Sequence, residues 1–423
     1  MNRATKLERA RQARRLLRSE GAAAVAARGL RRVADRLSPG GYGGLPVARE
    51  DLLAAAEVAK RGWVLPEPAP LRPGDPLTVG WVFVPPRPGS GGHTTMFRMV
   101  SALEEAGHRC VLYVLDRHGW ELQQHERAIR GWWPWVKAEV RDFDAGVEDG
   151  HALFATAWET AYPVLASPAK GRRFYFVQDF EPWFHPAGSH AMLAEATYRF
   201  GFHGVTAGRW LAQRVREEYG MPADHFDFGC DVEKYALDRS PGAAERRTGI
   251  CYYCRPRTPR RAYELAMAAL DLFAARHPEV DIHLFGSPAG KLAFRTIEHG
   301  VLKPEQLGEL YNRCIAGLAL SATNVSLVPH EMLAAGCIPV VNDAPQNRVV
   351  LDNPHVAYTP ATPFELADAL SALVERPRAE RVAAAEAAAG SVQSASWEAA
   401  GHQVEGIVRR VVAEAAGQPA GVA

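Results

Sequence analysis

The chain has 423 residues, enough for two or three domains each with its own core, and a formal net charge of +1. So balanced a charge gives no reason to expect a nucleic-acid partner. No apolar run approaches the roughly 18–20 residues that span a bilayer, and no segment has the pattern of a cleaved signal peptide. Cys110, Cys230, Cys251, Cys254, Cys314 and Cys337 are scattered, mostly among apolar residues. Cys251 and Cys254 have metal or redox spacing but no second pair, and in a strand they would point to opposite faces. The chain reads as a reduced, cytoplasmic protein.

Residues 1–70 read as a basic helical extension, with arginines recurring through residue 36 and a Gly/Pro-rich break at 38–46. Leu7, Leu16, Leu17, Leu30, Val33 and Leu37 supply an apolar stripe. A solvated helical hairpin packed on the body is the plainer expectation. Contact with anionic lipid head groups, at about 1 kcal/mol per basic residue, is the alternative.

Residues 77–84 (LTVGWVFV) read as a strand buried on both faces. The loop PPRPGSGGH, a helix over 94–106 and a second strand over 110–115 follow, the opening of a doubly wound α/β domain. Gly89, Gly91 and Gly92 do not fit GxGxxG, so no dinucleotide fingerprint is present. Gly91 and Gly92 before a helix still allow close backbone approach to an anion, with His93 as a further contact or simply a hydrogen-bonded loop residue. Residues 152–156, 173–178 and 204–207 read as further strands. Just past the second of these lies Gln178-Asp179-Phe180-Glu181-Pro182-Trp183-Phe184, where an open sheet places a site. Asp179 could hold or deprotonate an acceptor hydroxyl. Alternatively it organises the loop, with Glu181 turned to water. Nine of the ten tryptophans precede residue 211, and core roles are expected for most.

The charged, Gly/Pro-containing segment 230–248 reads as an interdomain connector. A strand over 249–254 opens a second domain and leads into RPRTPRR, which puts Arg255, Arg257, Arg260 and Arg261 between a strand end and a helix start. Guanidinium pairs there would clamp a diphosphate and stabilise it as a leaving group without a metal. Another strand is expected at 280–285 and a helix at 304–313. The stretch 314–342 then reads as a buried strand, a small polar loop (321–326), a short helix with Pro329 in its first turn, Gly336 as cap, and a strand from Ile338. A polar loop at a helix N-terminus suits phosphate. Glu331 either complements the helix dipole or accepts from ribose or sugar hydroxyls. Helices are expected over 363–388 and from Trp397 to about residue 414.

The segment TNVSLVPHEMLAAGCIPVV resembles the donor site of retaining GT-B glycosyltransferases of family 4, and most nearly the WsaF-type rhamnosyltransferases. QDFEPWFHPAGS resembles the same group in the first half, and the likeness covers roughly residues 75–410. It implies a 71–235 Rossmann-like acceptor domain facing a 246–395 Rossmann-like donor domain across a cleft. Residues 396–416 would form a helix crossing back to the first domain, starting at Ser396-Trp397-Glu398. By resemblance Gly91 and Gly92 face the donor diphosphate. Arg255 and Arg260 match an Arg and a Lys five apart in the family, and Val301 lies in the segment whose backbone reads the base. Glu331 matches the second of two family glutamates eight apart. Thr323 stands in place of the first, followed by Asn324, as in the WsaF group; Ser326 completes the loop. The donor implied is dTDP-L-rhamnose, the acceptor a bacterial surface glycan, free or lipid-linked, and no further cofactor or metal is required. Two other readings stay open. Asp142-Phe143-Asp144 has the DxD form of a metal-binding GT-A site, and the lost glutamate would also suit a binding protein without turnover.

Overall fold

The computed structural model describes residues 45–417 except Pro73, Pro88, His118 and Ser326. Most of the basic extension, residues 1–44, therefore lies outside the described residues. The part that is described, helix Arg49–Lys60, buries Ala55 in the same apolar cluster as Trp158, Ala161 and Tyr162. It is thus packed into the first domain.

The first domain is a seven-stranded sheet in the order β3-β2-β1-β4-β5-β6-β7. Its strands are β1 (Thr78–Phe83), β2 (Arg109–Val114), β3 (Glu139–Asp142), β4 (Ala152–Ala155), β5 (Arg172–Val177), β6 (His203–Ala207) and β7 (Ala223–Phe226). Every neighbouring pair is parallel. Helices cover both faces, so the central strands are apolar throughout: Val79, Trp81, Val82 and Phe83 of β1 are all fully buried. The second domain has six parallel strands in the order β10-β9-β8-β11-β12-β13. These are β8 (Gly249–Cys254), β9 (Ile282–Gly286), β10 (Ile297–Glu298), β11 (Cys314–Leu318), β12 (Ile338–Asn342) and β13 (Ala357–Thr359). Two facing parallel-sheet α/β domains are the architecture expected of GT-B.

Strand order reverses between β1 and β4 in one sheet and between β8 and β11 in the other. Loops on either side of such a switch point diverge and leave a crevice at the carboxyl ends of the strands. The glycine loop follows β1, the arginine turn follows β8, and the loop at 319–327 follows β11. The Asp142–Asp144 pair lies elsewhere, at the end of edge strand β3. There Arg117 forks onto Asp144 at 2.8 and 3.0 Å, and the Asp144 N–H donates to Asp142 at 3.0 Å. Those carboxylates tie down a surface turn on an edge strand, two strands from the β1/β4 switch point, and the GT-A fold that the DxD reading implies is not the fold observed.

Only Trp81, Trp133 and Trp158 are buried, whereas Trp63, Trp120, Trp132, Trp135 and Trp183 are exposed, so core packing does not account for most of the tryptophans. The last helix, Trp397–Ala415, lays Val404, Val408, Val411 and Val412 into the core of the first domain with Trp81, Phe97 and Phe176. Gly401 permits that approach: a Cβ there would lie 2.5 Å from the Cβ of Ala102 in helix Gly91–Glu105. Gly401→Val is therefore expected to destabilise the protein by about 1–3 kcal/mol, as overpacking does. Urea denaturation checks this, and an unchanged midpoint would contradict the packing described.

Candidate functional site

The cleft is built from four loops, two per domain. On the first domain, Ser90 caps helix Gly91–Glu105 by accepting from the His93 N–H at 3.4 Å, leaving Gly91 and Gly92 exposed on its first turn. A Cβ on Gly91 would meet open space, and one on Gly92 would sit 3.5 Å from the Gln178 amide. His93 turns inward. Its Nε2 is 3.0 Å from the carbonyl of Val84, so that nitrogen carries the proton, and its Nδ1 lies 2.8 Å from Ser90 Oγ and accepts there. Burial pulls its pKa down, so the ring is a neutral structural residue and not a phosphate contact.

On the second domain, the turn Pro259–Arg261 follows β8 and ends at Ala262, whose φ of 47° is a left-handed conformation that a non-glycine residue rarely adopts. Two arginines of the turn, Arg260 and Arg261, lie near groups of the first domain. Arg260 stacks over Phe184 of the opposite domain at 4.2 Å, and its Nε lies 3.4 Å from Asp179 Oδ2. Arg255 sits 5.2 Å over the ring of Tyr253. The Arg261 guanidinium makes no hydrogen bond or close ion pair within the described residues, and burial lowers its pKa against the pull of Asp179. A largely enclosed guanidinium with no hydrogen-bond partner is costly, and it marks Arg261 as a candidate anion contact that family spacing alone passes over. The signal for it was the count of four arginines in one turn.

The loop after β11 is fixed from below by two asparagines. Asn342 exchanges bonds of 2.9 Å with the Ser321 backbone in both directions, and Asn347 donates to the carbonyls of Ser321 and Asn342. The loop also binds the arginine turn directly, through Ala322 N–H to the Arg260 carbonyl at 2.9 Å. Thr323 and Asn324, each 1 % exposed, reach across to the first domain. Thr323 Oγ1 donates to Asp179 Oδ2 at 3.0 Å, and Asn324 N–H to Asp179 Oδ1 at 2.8 Å. The Asn324 side chain donates to the carbonyls of Gln178 and Ala207 at 2.9 and 3.0 Å. Asp179 also accepts its neighbour's Phe180 N–H at 2.9 Å. Burial raises the Asp179 pKa, opposed by Arg260, Arg261, the threonine hydroxyl and the Asn324 N–H. Both Asp179 oxygens are thus filled by protein donors in this arrangement.

Glu181 is buried rather than turned to water: it accepts the Trp158 N–H at 2.7 Å and holds the start of helix Trp158–Ala166. Burial pushes its pKa well above the carboxylate range. Val301, 69 % exposed, faces the glycine loop, its Cγ1 being 4.0 Å from where a Cβ of Gly89 would stand. Asp179, Arg260, Thr323 and Asn324 thus meet where the two domains face each other, Val301 lies against the glycine loop that carries Gly91 and Gly92, and Arg255 contacts Tyr253 within its own domain. Ser326 lies outside the described residues.

Glu331 belongs to a neighbouring cluster at the base of the connector. Tyr311 donates to its Oε2 at 3.3 Å, and Asp231 pairs at 2.5 Å with Arg98, which stacks 4.7 Å over Trp397. Burial pushes the Glu331 carboxyl up to about 7, with Tyr235 and Tyr311 pulling it down, Asp231 pushing it further up and Arg98 pulling it down. Since the ordinary value is 4.5, the folded protein keeps a proton between pH 4.5 and 7 that the unfolded chain has released. Stability from this group is full below pH 4.5 and is lost as pH rises through 7. Glu331→Gln, which imitates the protonated form, should therefore gain stability over the wild type between pH 5 and 8. Paired thermal melts check it, and a pH-independent difference would contradict the assignment.

Comparison with known proteins agrees with this architecture. Residues 248–371, which hold the arginine turn and the 319–327 loop, match the family described as WsaF, C-terminal domain. A stretch of 203 residues is 37 % identical to the O-antigen biosynthesis protein RfbC of Myxococcus xanthus. It covers 47 % of this chain and 16 % of RfbC, so the chain spans a minor part of that relative. Among solved structures, a Thermobaculum terrenum O-GlcNAc transferase aligns over 92 % of this chain and 77 % of its own, with a TM-score of 0.57 and 14 % identity. Staphylococcus aureus TarM, in a complex containing UDP, aligns over 77 % and 98 % with a TM-score of 0.61 and 7 % identity. WaaG, described as a glycosyltransferase involved in lipopolysaccharide biosynthesis, aligns over 78 % and 99 % with a TM-score of 0.54 and 14 % identity. The fold of this chain is that of the GT-B glycosyltransferases.

Proposed function

We propose that this chain is a glycosyltransferase of surface-polysaccharide assembly, moving a sugar from a nucleoside diphosphate to a glycan acceptor. The observation that carries the reading is the meeting of the arginine turn and the 319–327 loop at the switch point of the second sheet. The match of that half to the WsaF family and of the chain to an O-antigen biosynthesis protein supports it. The finer terms rest on sequence resemblance: dTDP-L-rhamnose as donor, retention at the anomeric carbon, and a free or lipid-linked glycan as acceptor. Location on the cytoplasmic side belongs to the same proposal, with membrane contact by the basic N-terminal extension as the alternative to its packing on the body. No helix among the described residues is long and apolar enough to cross a membrane.

In this reading Arg255, Arg260 and Arg261 neutralise the diphosphate, and no metal is required. The bond from the anomeric carbon to the phosphate oxygen breaks, and the oxygen keeps the electron pair. The acceptor hydroxyl attacks the same face and forms the new carbon–oxygen bond. Its proton passes to the departing phosphate. Gly91 and Gly92 approach the phosphates by backbone and Val301 lies beside the base, while Glu331 stays bonded to Tyr311 in the neighbouring cluster and not to the ribose.

The test is thermal stabilisation by dTDP, UDP and GDP with and without Mn²⁺, followed by release of dTDP from dTDP-L-rhamnose. A ligand at 100 times its Kd adds about 2.7 kcal/mol. A metal-independent shift, largest with dTDP and weakened at least tenfold in affinity by Arg260→Ala, is expected. Stabilisation only with Mn²⁺, or none by any nucleotide, would contradict the proposal. Stabilisation without turnover on any acceptor would favour a nucleotide-sugar-binding protein.

A further inference from the structure

The Asp179 carboxylate is held as a small oxyanion ligand would be. It comes from the first domain, yet three of its contacts belong to the second: Thr323 Oγ1 at 3.0 Å, Asn324 N–H at 2.8 Å and Arg260 Nε at 3.4 Å. A hydroxyl, a main-chain N–H and a guanidinium converging on one oxyanion is a phosphate-binding set. Resting on the glycosyltransferase reading, we infer that Asp179 is an internal stand-in for one phosphate of the donor: its carboxylate fills a phosphate subsite made by Thr323, Asn324, Arg260 and Arg261, and a bound diphosphate displaces it.

Three further observations fit. The fill is incomplete, because Arg260 Nε is buried and makes no hydrogen bond, and Arg261 has only the Asp179 charge, already shared with Arg260, to oppose its burial. One carboxylate against two guanidiniums leaves positive charge that a diphosphate, with at least two negative charges, would neutralise more fully. The buried Asn324 Oδ1 also has no donor, a polar atom left unsatisfied in the residue that supplies the main-chain N–H. Because Thr323 and Asn324 join the two domains through Asp179, displacing the carboxylate also loosens the domain contact. Donor entry and cleft opening are then one event.

The experiment is calorimetric titration of inorganic pyrophosphate and of dTDP into the wild type, Asp179→Asn and Asp179→Ser, with melts confirming that each variant is folded. Removing the competing charge should tighten both ligands by about tenfold in either variant, and Arg261→Gln should weaken both ligands in every background. Unchanged or weaker pyrophosphate binding in the folded variants would overturn the inference while leaving the glycosyltransferase reading intact. Tightening of dTDP without pyrophosphate would also overturn it, by locating the effect at the nucleoside. Binding of neither ligand by any of the proteins would overturn both readings together.

Discussion

The buried amide of Asn324 is the point through which the two halves of the molecule are joined at the site. Its main-chain N–H meets Asp179, its side-chain amide meets the carbonyls of Gln178 and Ala207, and all three partners lie on the opposite domain. Away from water each such bond must be satisfied, and removing one partner costs about 1–3 kcal/mol. The loop bearing Asn324 can hold this position only because Asn342 and Asn347 fix it from below. A second contact, Arg209 to the Val349 carbonyl at 3.0 Å and to Asp352 at 2.5 Å, joins the domains farther along the same face. The cleft is thus set by a few polar bonds at loop tips, while each sheet keeps its own apolar core.

Charge, more than shape, distinguishes this cleft. Of the four arginines after β8, Arg260 and Arg261 share one carboxylate, Asp179, and two are stacked on aromatic rings, Arg255 on Tyr253 and Arg260 on Phe184. Stacking holds a guanidinium plane in place without using its hydrogen bonds. The turn therefore presents oriented, under-neutralised donors where a diphosphate would lie. The cost is carried by the folded state: Arg261 is depressed and Asp179 raised by the same desolvation.

The architecture was legible wherever the chain writes a pattern over several residues. Continuous apolar runs marked β1, β2, β8 and β11, and the glycines at 91–92 and arginines at 255–261 showed where loops follow strand ends. The edge strands β3, β10 and β13 run only two to four residues, too short to leave a pattern. The partnership of Asp179 with Asn324 spans 145 residues of sequence, and nothing local to either residue announces it. Similarly, Glu181 reads as a surface acid until the fold brings the start of helix Trp158–Ala166 against it. His93 lies beside exposed glycines, but its ring is claimed by Val84 and Ser90. In each case tertiary partners settled what the residue type left open.

A crystal structure with dTDP bound and no metal added tests the central claim most directly, that donor phosphates sit at the β8/β11 switch point against the arginine turn. The account predicts the diphosphate between Arg255, Arg260 and Arg261 and the Thr323–Asn324 loop, with the base beside Val301. A nucleotide bound elsewhere, or one ordered only with a divalent ion held by Asp142 and Asp144, would contradict it.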